Sequence, residues 1–507
     1  MNKTCLSLIC KGTLLVCSML LANLSLVALD LSKESSEPVQ HTDPDVINAL
    51  KQQNIQHARE LLQTLYVVSL EDFSNLLDKK DSEVELGVQA GYYGKEGTDQ
   101  AYSPLVLYRR VWVYDAGIAL TLAVQNNDPT AGPRALWLLK NGQYTRDPQN
   151  PSTPLFAGWP FSSNQRNYGD NWTDCRFVTG ANASALLAIA RYITSDYYLG
   201  SEDKLKSEYK RLYRDGLSGI LYHMETDGPN EDLITAGWSL NVLEEFSKTG
   251  YSYNKVLDML GYGPREIEGF SEPIQRVRVR NVVTEHCSNV LELLNYTLRH
   301  YDRLFEKDRP YTYDELDAIC VKLRKSIYNK LYDNSKRRFI TGRSASGEPS
   351  AYSAIDNASW LCTSLDLDAL NDEQTKALSD SLVYTINNFT KDFIIAEKTY
   401  FGAHYFEEGF EDPYGEKSDA DAEEFHVEGT CGLICGLLEF AKAFPDDPNA
   451  AMFRVTASEL WNSMQRFLAD FGFVYTSSFV KGTAEPIEAS APAIWYLHTC
   501  NYLENAQ

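Results

Sequence analysis

Carboxyl and imidazole groups recur at one kind of place in this chain, the points where apolar helices are expected to begin. VWVYDAG holds Asp115, and YGDNWTDCRFVTGAN holds Asp170, Asp174 and Asn182. VVTEHCSN holds Glu285 and His286, while SAIDNASW holds Asp356 and Asn357. EEFHVEGTCG holds Glu424, His426 and Glu428, and EPIEASAP holds Glu485 and Glu488. One acid in a first helical turn is explained as a cap: it meets free N–H groups and the positive end of the macrodipole. Recurrence at nearly every such turn argues for a shared site. Aromatic residues accompany the acids: Trp112, Tyr114, Trp172, Trp238, Trp360 and Phe425. Paired carboxyls can give and take protons once their environments separate their pKa values. Rings beside carboxylates suit sugars, whose apolar faces stack and whose hydroxyls donate.

These residues need elements that converge. From residue 44 onward two kinds of helical pattern alternate. DAGIALTLAV (115–124), TGANASALLAIARYI (179–193), AGWSLNVLEEF (236–246), IDNASWLCTSL (355–365) and VEGTCGLICGLLEFAKAF (427–444) are apolar on nearly every side. Such helices must be surrounded by protein. Segments 204–222, 313–332, 371–389 and 451–468 carry one apolar stripe on a charged background, so they cover the first kind. A helix opening at 282–301 and one closing the chain at 488–503 complete the inner set. Inner starts then fall near 115, 180, 236, 285, 356, 428 and 488, a repeat of helical hairpins. Six or seven inner–outer pairs close into an all-α toroid, with the acids clustered at one mouth. Gly432 and Gly436 let inner helices approach closely. Short period-two stretches at 275–283, 337–342, 398–406 and 471–480 read as β-hairpins on the rim.

The balance of 47 basic against 70 acidic side chains, net −23, opposes phosphate backbones and anionic membranes. Met1 to Lys3 and Lys11 precede an uncharged, mostly apolar run from Thr13 to Leu29, which reads as a signal peptide or an uncleaved anchor. Residues 30–43 read as a flexible spacer and 44–507 as a single domain, with two packed α domains as the alternative. Export to the periplasm or beyond follows. Of ten cysteines, three lie in the leader, and the remaining odd, scattered set is no disulfide framework. Cys431 and Cys435 share a helix face and read as small buried hydrophobes, since no further metal ligands stand at the usual spacing. No metal or organic cofactor is expected.

The repeated hairpins, the VYDAGIAL and TGANASALLAIARYI starts and the TEH, DNASW and EGT turns resemble the six-hairpin glycosidase superfamily over roughly residues 45–505. The resemblance implies an (α/α)6 barrel, a carbohydrate substrate and hydrolysis of a glycosidic bond, commonly with inversion. Inversion needs a protonated carboxyl on one side of the bond and an ionised one on the other, about 6.5–9.5 Å apart with water between. Glu285, in an apolar context beside His286, is the expected acid. Asp356 is the first choice of base, followed by Asp115 and Glu428.

Substrate contacts are expected from His286, His426, Trp112, Tyr114, Asp170, Trp172, Asn182, Trp238, Asn357 and Trp360. Sugar epimerases of the same barrel use histidines as acid and base, which makes His286 and His426, with His404 on the rim, a competing pair. Arg276, Arg278 and Arg280 alternate along one strand and leave an acidic sugar open. A toroid that only binds glycan or protein is the third reading.

Overall fold

The computed structural model describes residues 43–64, 110–141, 143–146, 154–158, 162–164, 177–195, 203–240, 276–305, 309–407, 424–474 and 490–505, with isolated positions between. The leader, the spacer, Asp170, Trp172, Asp174, Glu485 and Glu488 lie outside the described residues. Trp112 lies in a described strand, but its side chain is not described.

Helices alternate outside and inside along the chain. The outer ones are α1 (Pro44–Thr64), α3 (Ala131–Asn141), α5 (Asp203–Leu221), α8 (Tyr313–Lys330), α10 (Asp372–Phe389) and α12 (Ala450–Phe471). The inner ones are α2 (Val113–Gln125), α4 (Thr179–Thr194), α6 (Thr284–Arg299), α9 (Asp356–Ser364), α11 (Val427–Ala443) and α13 (Ser490–Asn505). A short helix, α7 (Tyr301–Leu304), follows α6. Each inner helix packs on the next in the order α2, α4, α6, α9, α11, α13, and α13 returns to α2. The ring is therefore closed. The N-terminal α1 packs on α12 and α13 and so covers the seam.

The expected seventh inner helix at 236–246 is not formed where the chain is described. Residues Thr235–Leu240 are a strand, β6, with positive φ at Gly237. It lies in a four-stranded sheet with β5 (Phe177–Val178), β7 (Arg276–Val283) and β10 (Gly342–Arg343), in the order β10-β7-β6-β5. The apolar character of AGWSL reflects burial within this sheet, which periodicity over so short a run does not separate from a helix. Six inner helices are formed among the described residues, and the fold is an (α/α)6 barrel. The strands β8 (Tyr332–Asp333) and β9 (Arg338–Phe339) pair in a small hairpin, as do β11 (Thr390–Ile395) and β12 (Lys398–Ala403). Four further short strands, β1 (Arg110–Trp112), β2 (Gln143–Arg146), β3 (Pro154–Gly158) and β4 (Ser162–Asn164), form two antiparallel pairs, β1 with β4 and β2 with β3.

Small residues explain how the inner helices fit. In α4 nearly every position is buried, and five alanines and a glycine keep the cylinder thin. The approach of α11 to α9 is closer still. A Cβ at Gly436 would stand 2.6 Å from the Ser359 carbonyl oxygen and 2.7 Å from its Cα. At Gly432 the obstacle is the Trp360 indole nitrogen, 2.7 Å away. Apolar side chains then fill the space between inner and outer rings. One cluster runs through most of the circuit; a second joins α1, α2, α11, α12, α13 and the β11–β12 hairpin. Cys431 and Cys435 are buried thiols within α11, as expected for small apolar fillers.

Because the Ser359 backbone cannot move without shifting α9, Gly436→Ala should destabilise the fold by about 1–3 kcal/mol. Denaturant unfolding of the variant against the parent, with a lowered midpoint, is the check.

Candidate active site

The inner helices begin abruptly. β1 runs directly into α2, β5 into α4 and β7 into α6. The residues before α4 and α6, Val178 and Val283, are extended and give no side-chain cap. Outer helices α8 and α10 differ: Thr312 with Glu315, and Asn371 with Gln374, form full capping boxes. Thr284 does not cap α6. It is the first helical residue, and its hydroxyl donates to the Ile340 carbonyl at 2.5 Å.

Four of those carboxyls meet. Asp115 from α2, Glu285 from α6, Asp356 from α9 and Glu428 from α11 are linked by electrostatic repulsion within one buried space. Burial raises the Glu285 carboxyl well above its ordinary value, and the Asp356 and Glu428 carboxyls raise it further. Asn289, one turn along α6, partly offsets this, although its Nδ2 falls short of a full hydrogen bond. Burial takes Glu428 to about 8, with Asp115 adding to the rise and hydrogen bonds from Tyr114 and Trp495 opposing it. Burial takes Asp115 to about 7, against a 3.1 Å hydrogen bond donated by Ser490 Oγ. Asp356 rises least, to about 6: burial raises it and the Tyr405 hydroxyl, donating at 2.7 Å, holds it down. Its Oδ1 is buried without a hydrogen-bond partner.

Aromatic groups line the same space. Trp495 Nε1 donates to the Tyr114 hydroxyl at 2.9 Å, and that hydroxyl donates to Glu428 Oε1 at 3.0 Å. Trp360 is stacked with both Tyr114 and Trp495, at interplanar angles of 17° and 14°. Burial and the neighbouring carboxylates raise both Tyr114 and Tyr405, so each remains a phenol donor.

The histidines take different places. His286 is buried beside Glu285 with its Nδ1 unpartnered, and burial lowers it to about 4. His426 Nδ1 accepts the Gly429 N–H at 2.9 Å, capping α11, and burial lowers it to about 3. His404 is buried rather than on the rim; its ring nitrogens lie 2.7 and 3.0 Å from the Phe406 and Asn388 carbonyl oxygens.

Other expected contacts are directed elsewhere. Asn182 Nδ2 donates to the Val178 carbonyl, and Asn357 Nδ2 to the Phe339 carbonyl and Ser353 Oγ. Both asparagines are buried, which leaves their NAS sequons no room for a glycan. Trp238 stands on β6, not on a helix, and stacks on Phe177 at 6°. Arg278 and Arg280 are paired with Glu225, at 3.7 and 2.9 Å, rather than held open for an acidic sugar. Sequence reasoning missed Tyr405, Trp495, Asn289 and Ser490. Asn289 stands one turn from Glu285 and was legible from the helical period. Tyr405 and Trp495 lie far from any acid in sequence, so nothing local signalled them. Among the described residues, no group of three His, Cys, Asp or Glu side chains is arranged to hold a metal. Nor is any described helix long and apolar enough to cross a membrane.

Burying these carboxyls in charged form opposes folding. A raised folded pKa means the folded state keeps its proton longer than the unfolded chain. That stability is fully present below the unfolded value near 4.5 and is lost as pH rises towards about 8 for Glu428. Glu428→Gln keeps an oxygen for Tyr114 and removes the titration. Its melting temperature should exceed the parent's at pH 9 by clearly more than at pH 5, read by calorimetry at both values.

No protein-family profile and no curated protein matches the sequence. Solved structures do match in fold. D-mannose isomerase aligns with a TM-score of 0.54 and 10% identity, over 92% of this chain and 100% of its own. Cellobiose 2-epimerase from Spirochaeta thermophila aligns at 0.53 and 11%, over 91% and 98%. A GH76 α-mannanase from Bacteroides thetaiotaomicron aligns at 0.48 and 9%, over 91% and 99%. The closed ring of six inner and six outer helices among the described residues agrees with the first two alignments: the chain has an (α/α)6-barrel fold, as D-mannose isomerase and cellobiose 2-epimerase have.

Proposed function

We propose that this protein hydrolyses a glycosidic bond in a neutral oligo- or polysaccharide by inverting acid/base catalysis, with Glu285 as acid and Asp356 as base. The observation that carries the reading is the division among the clustered carboxyls. Glu285 is held protonated by burial and by two neighbouring acids, while Asp356 is the most acidic of the set. Glu285 gives its proton to the glycosidic oxygen as the bond from that oxygen to the anomeric carbon breaks. Water adds to the anomeric carbon from the other face and gives its proton to Asp356. The unpartnered Oδ1 of Asp356 is the oxygen available for that water. One water is consumed per bond, and proton exchange with solvent restores both groups. Glu428, bonded by Tyr114, is the alternative base.

A neutral sugar fits the charges. The carboxyls that do ionise, Asp356 first, repel a uronate, and Arg278 and Arg280 are engaged by Glu225. The acidic surface, net −23, points the same way. We also infer export, on the apolar run from Thr13 to Leu29; an N-terminal sequence of protein recovered from the native host, starting beyond that run, supports it, and one starting at Met1 in the cytosol opposes it.

The unpartnered Nδ1 of His286 favours a second reading, epimerisation or isomerisation of a sugar. A two-histidine mechanism is opposed by His426, whose Nδ1 is engaged by the backbone of α11 and which burial keeps neutral. Reaction in deuterated water separates the two: isomerisation exchanges a carbon-bound proton of the sugar, hydrolysis does not.

Against a panel of neutral oligosaccharides, Glu285→Gln and Asp356→Asn should each lower kcat by about 10²–10⁴-fold while staying folded. NMR of the first product should show the inverted anomer. The parent's activity should fall as pH drops through about 6, where Asp356 takes up a proton, and again at alkaline pH as Glu285 loses its own. Full activity in Glu285→Gln would remove that residue as the acid.

A further inference from the structure

The segment from Ala403 to Glu407 crosses the start of α9 as a strap. The Ala403 carbonyl accepts the His426 N–H, and the Tyr405 carbonyl accepts the Ile355 N–H. Phe406 bridges Ala354, and the Glu407 N–H donates to the Ser353 carbonyl. Glu407 in turn accepts the Ser353 N–H at 2.8 Å and the Tyr384 hydroxyl at 2.6 Å, and pairs with the buried Arg338. Arg338 also donates to the Ala351 carbonyl. The bonds to Ser353, Ala354 and Ile355 fix the strap against the turn that delivers Asp356.

Tyr405 sits at the centre of this strap. Its backbone holds Ile355, the residue before Asp356, and its hydroxyl donates to Asp356 Oδ2. Its ring rests on His426, with centroids 4.7 Å apart. The phenol thus has a fixed origin on both sides, and the direction of its O–H is not adjustable by rotation of the strap.

We propose that Tyr405 is the positioning residue of Asp356: its hydroxyl binds Oδ2, fixes the carboxylate rotamer so that Oδ1 faces the site, and favours the ionised form. This rests on the reading of Asp356 as the base and adds a reason why this acid, among four, is the one that ionises first. The groups facing Asp356 are Glu285 from α6, Glu428 from α11 and Tyr405 from the strap. Both acids oppose its ionisation. Arg338 on β9 is engaged by Glu407, Tyr384 and the Ala351 carbonyl. The neutral His426 lies behind the phenol. Tyr405 is therefore the side-chain donor that offsets the cost of burying this carboxylate, together with the Asp356 backbone N–H. A charge-assisted hydrogen bond of this kind is worth about 1.5–3 kcal/mol, enough to move a pKa by about one to two units.

Tyr405→Phe tests this, because it keeps the ring on His426 and the backbone bond to Ile355. The primary measurement needs no substrate: the titration of the Asp356 side-chain carbon by 13C NMR in protein labelled at aspartate, assigned by its disappearance in Asp356→Asn. The midpoint should move up by about one unit or more in Tyr405→Phe with the rest of the spectrum retained. An unchanged or lowered midpoint overturns the proposal. With a turned-over sugar in hand, the acid limb of kcat/KM should shift upward with the midpoint, and the plateau rate should fall as the carboxylate rotamer is released. A loss that is equal at every pH overturns it too, since that is the signature of lost structure rather than a tuned base. Undiminished activity in Asp356→Asn would instead remove the base assignment, and the NMR titration would still decide what Tyr405 does.

Discussion

Like charges cannot all be ionised in a space from which water is excluded, and this constraint governs the mouth of the barrel. Asp115, Glu285, Asp356 and Glu428 arrive from four inner helices, and each is raised first by burial. Helix N-termini alone would favour the charged forms. Here desolvation and mutual repulsion outweigh them. All four are raised, Asp356 least, and Glu285 by two neighbouring acids as well as by burial. Acid/base chemistry at one pH requires this separation, and its source is position: neighbours on either side for Glu285, a phenol donor for Asp356.

The rest of the fold keeps those positions fixed. A barrel of thin inner helices brings their tips near one axis, and Gly432 and Gly436 allow α11 to lie against α9. Strands run straight into α2, α4 and α6, and the last two have no side-chain cap. The capping boxes appear instead on α8 and α10, outside, where a helix start has only to be stable. The crowding of acids at the inner helix starts sets the site apart from the scaffold. It also comes at the expense of stability, since the buried carboxyls favour the unfolded chain as pH rises.

Much of this was legible in the sequence, because burial on every side and burial on one stripe leave different patterns. The outer segments at 204–222, 313–332, 371–389 and 451–468 correspond to α5, α8, α10 and α12 within a few residues. The acids at 115, 285, 356 and 428 could be named because their helices are apolar enough to make a first-turn carboxyl conspicuous. AGWSL misled because a short buried strand and a buried helix share composition; Gly237, at φ 128°, was the sign of a strand irregularity. Asn182 and Asn357 misled because their amides serve local backbone carbonyls, a role that composition does not distinguish from substrate contact. Tyr405 and Trp495 could not be found: they reach the site by long-range packing, across 49 residues to Asp356 in one case and 381 to Tyr114 in the other.

The central claim is that Glu285 carries its proton at neutral pH while Asp356 does not. Infrared difference spectra of the resting protein at pH 7, parent minus Glu285→Gln and parent minus Asp356→Asn, read this directly. The account predicts loss of a protonated-carboxyl C=O band in the first and loss of carboxylate bands in the second. Carboxylate loss in the Glu285 difference would contradict it.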